Sequence, residues 1–192
     1  INGIHYVDSF TTTGTDAQKI SYMRSLPADS LVKYEAPPVI GGAVGMHWQS
    51  VVDNIHFLDY PTARIQSGNF NKVPLVIGSN AEEMSLSVPQ TITPAMVTAL
   101  INSKLPVAFR AQAATLYPAG TTNAEAKVSY IGLLTDGQFT ATTRRIARCI
   151  SQNQTEPVYR YFFSHKHTVA ALTPYGSYHG MELFYVFNFR SF

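Results

Sequence analysis

The sequence predicts an α/β fold whose strands run parallel. Two runs of strand-forming residues, and what separates them, carry the prediction. Val73-Pro74-Leu75-Val76-Ile77 is a continuous β-branched and leucine run, the composition of a strand covered on both faces. Pro157-Val158-Tyr159-Arg160-Tyr161-Phe162-Phe163 is rich in aromatic and β-branched residues. Several helical patterns lie between them, so the connection is a crossover and excursion, which pairs the strands in parallel.

Taken in order, residues 1–72 read as a loop-rich and helical lead-in. Thr15 or Asp16 caps a short helix with Ile20, Met23 and Leu26 at spacings of three, and Pro27 stops it. Ala28-Asp29-Ser30-Leu31 suggests one further helical turn. From Glu35 to Pro61 periodicity is lost among Pro37, Pro38, Gly41, Gly42 and Gly45. Residues 73–83 form the first strand and an acidic loop, Gly78-Ser79-Asn80-Ala81-Glu82-Glu83. Residues 93–151 are a helical excursion. Thr93-Pro94 starts a helix to about Leu100, since proline is favoured at the first helical position. Pro106 to Tyr117 is a second helix with Phe109, Ala113 and Leu116 on one stripe. Thr122 to Leu134 and Asp136 to Ser151 read as two more. Residues 157–192 hold the second strand and a loop around Tyr175-Gly176-Ser177-Tyr178-His179-Gly180-Met181-Glu182.

Composition narrows the class. Hydrophobic residues make up 45% of the 192 residues, enough for a globular core. Charged residues are only 14%, against about a quarter in ordinary proteins, with Ser, Thr, Asn and Gln in their place. That balance leans toward an extracytoplasmic or secreted setting. The net charge of +2 is spread out, and the densest cluster, Arg144, Arg145 and Arg148, lies in an expected helix. Nucleic-acid binding needs a concentrated basic face, so no such partner is expected. No apolar run reaches the roughly 18 residues of a membrane span, and Ile1-Asn2-Gly3-Ile4 does not read as a signal peptide. The single cysteine, Cys149, excludes an internal disulfide and a cysteine zinc cage, and reads as a small buried hydrophobe. Asn153-Gln154-Thr155 is a glycosylation sequon, meaningful only in a eukaryotic secretory setting.

Chemistry in open α/β sheets collects at the carboxyl ends of the strands. Glu82 and Glu83 follow the first strand and His179 follows the second, so they share one sheet edge. An imidazole can take a proton from a hydroxyl and return it to a leaving group. A carboxylate on its other nitrogen fixes the tautomer and stabilises the imidazolium. Spacing alone leaves Glu82 and Glu83 equal. His165 and His167 would point oppositely on a continuing strand, and His5, His47 and His56 have no partners at ligand spacing, so no metal or cofactor is expected. Gly41-Gly42-Ala43-Val44-Gly45 lacks the Lys-Ser/Thr of a phosphate loop and reads as an irregular loop. Glu182 and Asp136 are acids in apolar surroundings, suited to an ion pair or a cap. The run Phe184-Tyr185-Val186-Phe187-Asn188-Phe189 reads as core or interface surface.

These pieces form a recognisable series. Asp53-Asn54, Phe57-Leu58-Asp59-Tyr60-Pro61 and Val73-Pro74-Leu75-Val76-Ile77-Gly78-Ser79-Asn80-Ala81-Glu82-Glu83 resemble the type-B carboxylesterase family of bacterial carboxylesterases, fungal lipases and cholinesterases. The family patterns are "D-G-x-F-L-x-D-x-P" and "V-P-x-x-I-G-x-N-x-D-E-G". The similarity continues through Leu134-Thr135-Asp136-Gly137-Gln138-Phe139, the second strand, and His179-Gly180-Met181-Glu182-Leu183-Phe184. It also covers Ser21 to Leu31, similar to "C-L-R-x-x-P-x-x-x-L".

The resemblance implies a partial α/β-hydrolase fold, comprising the later strands of a mostly parallel sheet and a helical lid and pocket region. It puts the triad acid on Glu83 and the base on His179, with no cofactor and a small-molecule ester as substrate. No Gly-x-Ser-x-Gly occurs in the sequence, so the nucleophile is expected in an N-terminal half that this segment lacks. A non-catalytic adhesion or binding relative, or an inactive fragment, is the alternative. Two departures stand out: Asn54 replaces the "D-G" glycine, and Met84 replaces the glycine after the acid, which implies a reshaped pocket wall.

Overall fold

The computed structural model describes residues 11, 13–33, 39–40, 43–44 and 52–188. The chain divides into two compact units, Ile1–Ile40 with Val44–Ser50, and Gly41–Ala43 with Val51–Phe192.

In the first unit, helix α1 (Asp16–Ser25) begins at Thr15 with a reciprocal capping box. The Gln18 amide donates to Thr15 Oγ1 at 3.4 Å and the Thr15 amide to Gln18 Oε1 at 2.8 Å. Two of the helix's otherwise unpaired donors are thereby satisfied. Asp16 and Arg24 sit at the ends the helix dipole favours for their charges. Leu26 is extended, as the residue before a proline must be, and ends the helix. No residue of α1 is buried; of the expected apolar stripe, Met23 and Leu26 are half-buried and Ile20 is exposed. Helix α2 (Ala28–Lys33) runs two residues past the expected turn. Along the chain two short strands follow, β1 (Val39–Ile40) in this unit and β2 (Ala43–Val44), of which Val44 falls in this unit and Ala43 in the other. The three glycines of the Gly41–Gly45 stretch lie outside the described residues.

The second unit contains a helix that periodicity did not reveal, α3 (Pro61–Gln66), with proline at its first position. One turn and a half is too short to display an apolar repeat. Strands β3 (Leu75–Asn80) and β4 (Val158–Phe163) pair in parallel, from Leu75 opposite Val158 to Asn80 opposite Phe163. The expected parallel pairing is therefore present. The first strand starts two residues later than expected and runs three further, because Pro74 cannot donate to a ladder. It is not covered on both faces among the described residues, for Val76 is 67% exposed. Burial instead rises along β3 and becomes complete at Ser79 and Asn80, its carboxyl end.

The register has one tight point. Gly78 faces Tyr161, and a methyl group on Gly78 would lie 2.4 Å from that ring. The strand carries glycine there because the tyrosine ring fills the space a side chain would need.

The core lies among the helices. Helices α4 (Pro94–Lys104), α5 (Val107–Leu116) and α6 (Asn123–Thr135) contribute Val97, Leu100, Ile101, Ala113, Ala126, Tyr130 and Leu134, joined by Met84 and Ile92. On α5 only Ala113 is buried, and Phe109 and Leu116 of the expected stripe are exposed. The two helices read from Thr122 to Ser151 are one continuous helical run. Helix α6, a π-turn (Asp136–Thr140) and helix α7 (Ala141–Asn153) follow without a break. Asp136 keeps helical angles, φ −64° and ψ −42°, and Gly137 widens the turn rather than ending the helix. Cys149 on α7 is half-buried rather than buried.

A 3₁₀ turn (Thr173–Tyr175) and helix α8 (Met181–Val186) complete the described residues. The aromatic run there is surface: Tyr185 and Phe187 are exposed, and Phe189 lies outside the described residues.

Candidate active site

Two loops meet at the carboxyl ends of β3 and β4. The first runs from Ala81 through tight turns to Ser85, and the Ala81 amide donates to the Phe163 carbonyl at 2.8 Å, extending the sheet by one rung. The second runs from Tyr175 to Gly180. They are stitched together by Glu82 N–H to Ser177 O at 3.2 Å, Ser177 N–H to Glu82 Oε2 at 2.8 Å, and Ser85 Oγ–H to Tyr175 O at 2.7 Å. Gly176 has φ +62° and packs against the Glu82 carboxylate, where a methyl group would come within 2.6 Å. Both facts require glycine. Glu82 thus serves the loop junction, with Lys166 Nζ 3.8 Å from its other oxygen.

Glu83 has a different environment. Its side chain is 5% exposed; Oε1 accepts from the Asn80 amide at 2.6 Å, and Oε2 lies 2.7 Å from His179 Nδ1. A carboxylate can only accept, so Nδ1–H donates and Nε2 is the ring's basic nitrogen. The imidazole itself is 66% exposed. Gly180 follows at φ +83° and begins α8, whose first residue, Met181, is fully buried. The left-handed residue turns the chain directly after His179 and drives Met181 inward. A methyl group on Gly180 would meet Leu183 Cδ1 at an ordinary 4.0 Å, so it is the backbone conformation that glycine supplies there.

Sequence reasoning missed Asn80, although it lies within the quoted motif. Asn80 is fully buried, and its Nδ2 donates to the Tyr178 carbonyl at 2.8 Å and to Glu182 Oε2. One residue therefore holds the acid through its main chain and the histidine's loop through its side chain. The signal available was a polar residue at the end of an apolar strand, which has to find partners. Tyr161 was also missed. Burial first, then the Glu182 and Glu83 carboxylates, hold its phenol above the ordinary range.

Phe139, on the π-turn, places its ring 5.3 Å from that of His179 at 48°. Thr135, at the start of the same turn, accepts from the Met84 amide at 3.3 Å. Met84 is buried in the helical core, so the residue replacing the family's glycine anchors the acid loop to α4–α6. Among the described residues Glu182 accepts from Asn80 Nδ2, and Asp136 from Tyr117 Oη–H at 2.6 Å. Burial and that carboxylate push the Tyr117 phenol up to about 12. His165 packs edge-on against Tyr185, and His167 Nδ1 accepts from the Val169 amide at 3.0 Å. Among the described residues no group of histidine, cysteine and acidic side chains could hold a metal ion, and no helix is long and apolar enough to cross a membrane.

The Asp53–Phe57 turn accounts for a family glycine. Asp53 Oδ1 accepts from the amides of Ile55, His56 and Phe57 at 2.8–2.9 Å. Asn54 sits at φ +59°, a conformation that glycine enters most readily and asparagine next.

Parallel strands flanked by helices, with a buried acid and an exposed histidine paired across the strands' carboxyl ends, make this an α/β protein. The sequence pattern of the carboxylesterase family matches residues 6–192, and the chain belongs to that family. Membership implies an α/β-hydrolase architecture and relates the chain to ester hydrolases. No curated protein matches it.

Proposed function

We propose that this chain supplies the acid and the base of a serine carboxylesterase. Glu83 orients His179, and His179 Nε2 takes the proton of a serine hydroxyl provided by residues preceding this segment in the complete polypeptide. The serine attacks an ester carbonyl, the imidazolium protonates the departing alcohol, and water attacks the acyl-enzyme by the same base. The observation that carries the reading is the 2.7 Å pair of Glu83 and His179, an acid that is buried and a base that is accessible. A buried carboxylate with one oxygen fixed by the Asn80 amide has little freedom, so its other oxygen can set the tautomer of the ring. The helices of residues 93–151 would line the acyl pocket and bias substrate choice.

Two measurements test this. The complete natural polypeptide should carry Gly-x-Ser-x-Gly upstream and hydrolyse a short acyl ester such as p-nitrophenyl acetate. The 192-residue chain alone should be nearly inactive, because catalysis without the nucleophile is weak. Full-rate hydrolysis by the isolated chain, or an upstream sequence with the serine replaced, would sink the proposal. The second result would leave the binding or adhesion role.

A further inference from the structure

His179 poses a mechanical problem. Its ring is 66% exposed, and Glu83 holds it at one nitrogen. A single hydrogen bond fixes one atom and leaves the ring plane free to pivot, since the terminal torsion of histidine is broad. Proton transfer between two heavy atoms needs the second nitrogen held within a few tenths of an ångström of its target.

The second contact comes from the π-turn. Phe139 lies 5.3 Å from the imidazole centroid at a tilt of 48°, within the range for a favourable aromatic pair. The phenyl ring is half-buried and packs against the helical core formed by Met84, Val97, Leu134 and their neighbours. It is therefore rigid on the side away from the histidine. The turn that carries it is unusual. The Ala141 amide donates to the Asp136 carbonyl, five residues back, where an α-helix would bond four back. The wider turn rotates residue 139 about the helix axis relative to Thr135. Thr135 meanwhile holds the Met84 amide, next to the acid. One helical junction thus contacts the histidine ring and the residue that follows the acid, from two residues four apart.

We infer that Phe139 is a positioning residue for His179, and that the π-turn Asp136–Thr140 exists to present it. The inference rests on the proposed role of His179 as base, and it adds what sets the plane of the ring.

The test uses Phe139→Leu, Phe139→Ala and Phe139→Tyr in the complete natural polypeptide. Leucine retains apolar volume against the core but has no ring face, whereas tyrosine retains the ring. With p-nitrophenyl acetate, Phe139→Leu should lower kcat roughly tenfold with KM changed less than twofold, and Phe139→Tyr should recover most of it. The His179 Nδ1–H proton, followed by NMR in the same proteins, should broaden through faster exchange with water in the leucine and alanine variants and stay sharp with tyrosine. Equal kcat in the leucine variant and the wild type, or equal losses in the leucine and tyrosine variants, overturns the inference. If the wild type hydrolyses no ester, the base role fails, and the NMR comparison still decides whether Phe139 holds the ring. Should the alanine variant melt too early to assay, the leucine–tyrosine contrast carries the test.

Discussion

Among the described residues of the second unit are two acid–histidine pairs of nearly equal length and very different surroundings. Glu83 Oε2 and His179 Nδ1 are 2.7 Å apart; Asp53 Oδ2 and His56 Nδ1 are 3.0 Å apart. In the first pair the acid is 5% exposed and its partner lies 96 residues away. In the second, acid and histidine side chains are 37% and 80% exposed, and the residues belong to one turn. Asp53 spends its other oxygen on three successive amides and so closes its own loop. Glu83 spends its other oxygen on one buried amide and projects the pair across the junction of two loops. Distance alone does not tell the two pairs apart. What separates these pairs is whether the acid's second oxygen organises a local turn or anchors the acid in the protein's interior.

Substitution of the histidines should break the comparison most sharply. On the proposed reading, His179→Ala in the complete natural polypeptide should lower kcat by about 10⁴-fold, and His56→Ala should leave it within about twofold. Steady-state ester hydrolysis measures both, and equal effects would erase the functional distinction between the pairs.

Stability should divide the two pairs next. Glu83→Ala leaves the buried Asn80 amide unpaired and should cost about 1–3 kcal/mol in denaturant unfolding, while His56→Ala should change stability by less than about 0.5 kcal/mol. Gly78→Ala should cost about 1–3 kcal/mol by forcing a methyl into the Tyr161 ring, with part recovered by Tyr161→Ala in a double-mutant cycle.

Acid titration sharpens the reading of Asp53 as a structural carboxylate. Amides of Phe57 and Ile55, then His56, hold its carboxyl well below the usual range. A depressed folded-state value contributes stability above the unfolded value, about 4, that is lost as pH falls through the folded one. Asp53→Asn should therefore flatten the acid side of a Tm-versus-pH curve, by a small amount because the group is exposed. An unchanged curve would mean that the turn does not depend on the charge.

The smallest effect is expected at the foot of the π-turn. Tyr117, raised to about 12 by burial and by Asp136, contributes stability that is intact below pH 10 and is lost as pH rises through about 12. Tyr117→Phe should remove that alkaline loss, as read by circular dichroism between pH 9 and 12. Persistence of the full loss would assign it to another group.

Much of this was legible in the residues because it is local. The Thr15 cap needs only Gln18 three residues on, and proline at position 94 signals a helix start. Parallel pairing followed from the helices that separate two strand-like runs. Helix α3 escaped because six residues cannot show a period, and the π-turn escaped because the pattern suggests a break between Leu134 and Asp136, where the angles remain helical. Coverage of β3 was over-read from its composition: Val76 is apolar yet exposed.

By itself the sequence determined that a carboxylate and a histidine stand on the same edge of a parallel pair, since side-chain chemistry and strand order are encoded along the chain. It could not choose between Glu82 and Glu83 on physical grounds, for adjacent residues in a turn differ only in where they point. Tertiary structure separates them: Glu82 ties Gly176 and Ser177 to the first loop, and Glu83 turns inward to Asn80 and His179. Asn80, Thr135 and Phe139 likewise acquired their places only in space. Each acts on residues tens of positions away, and contacts at that range are settled by packing and burial rather than by any local preference of the chain.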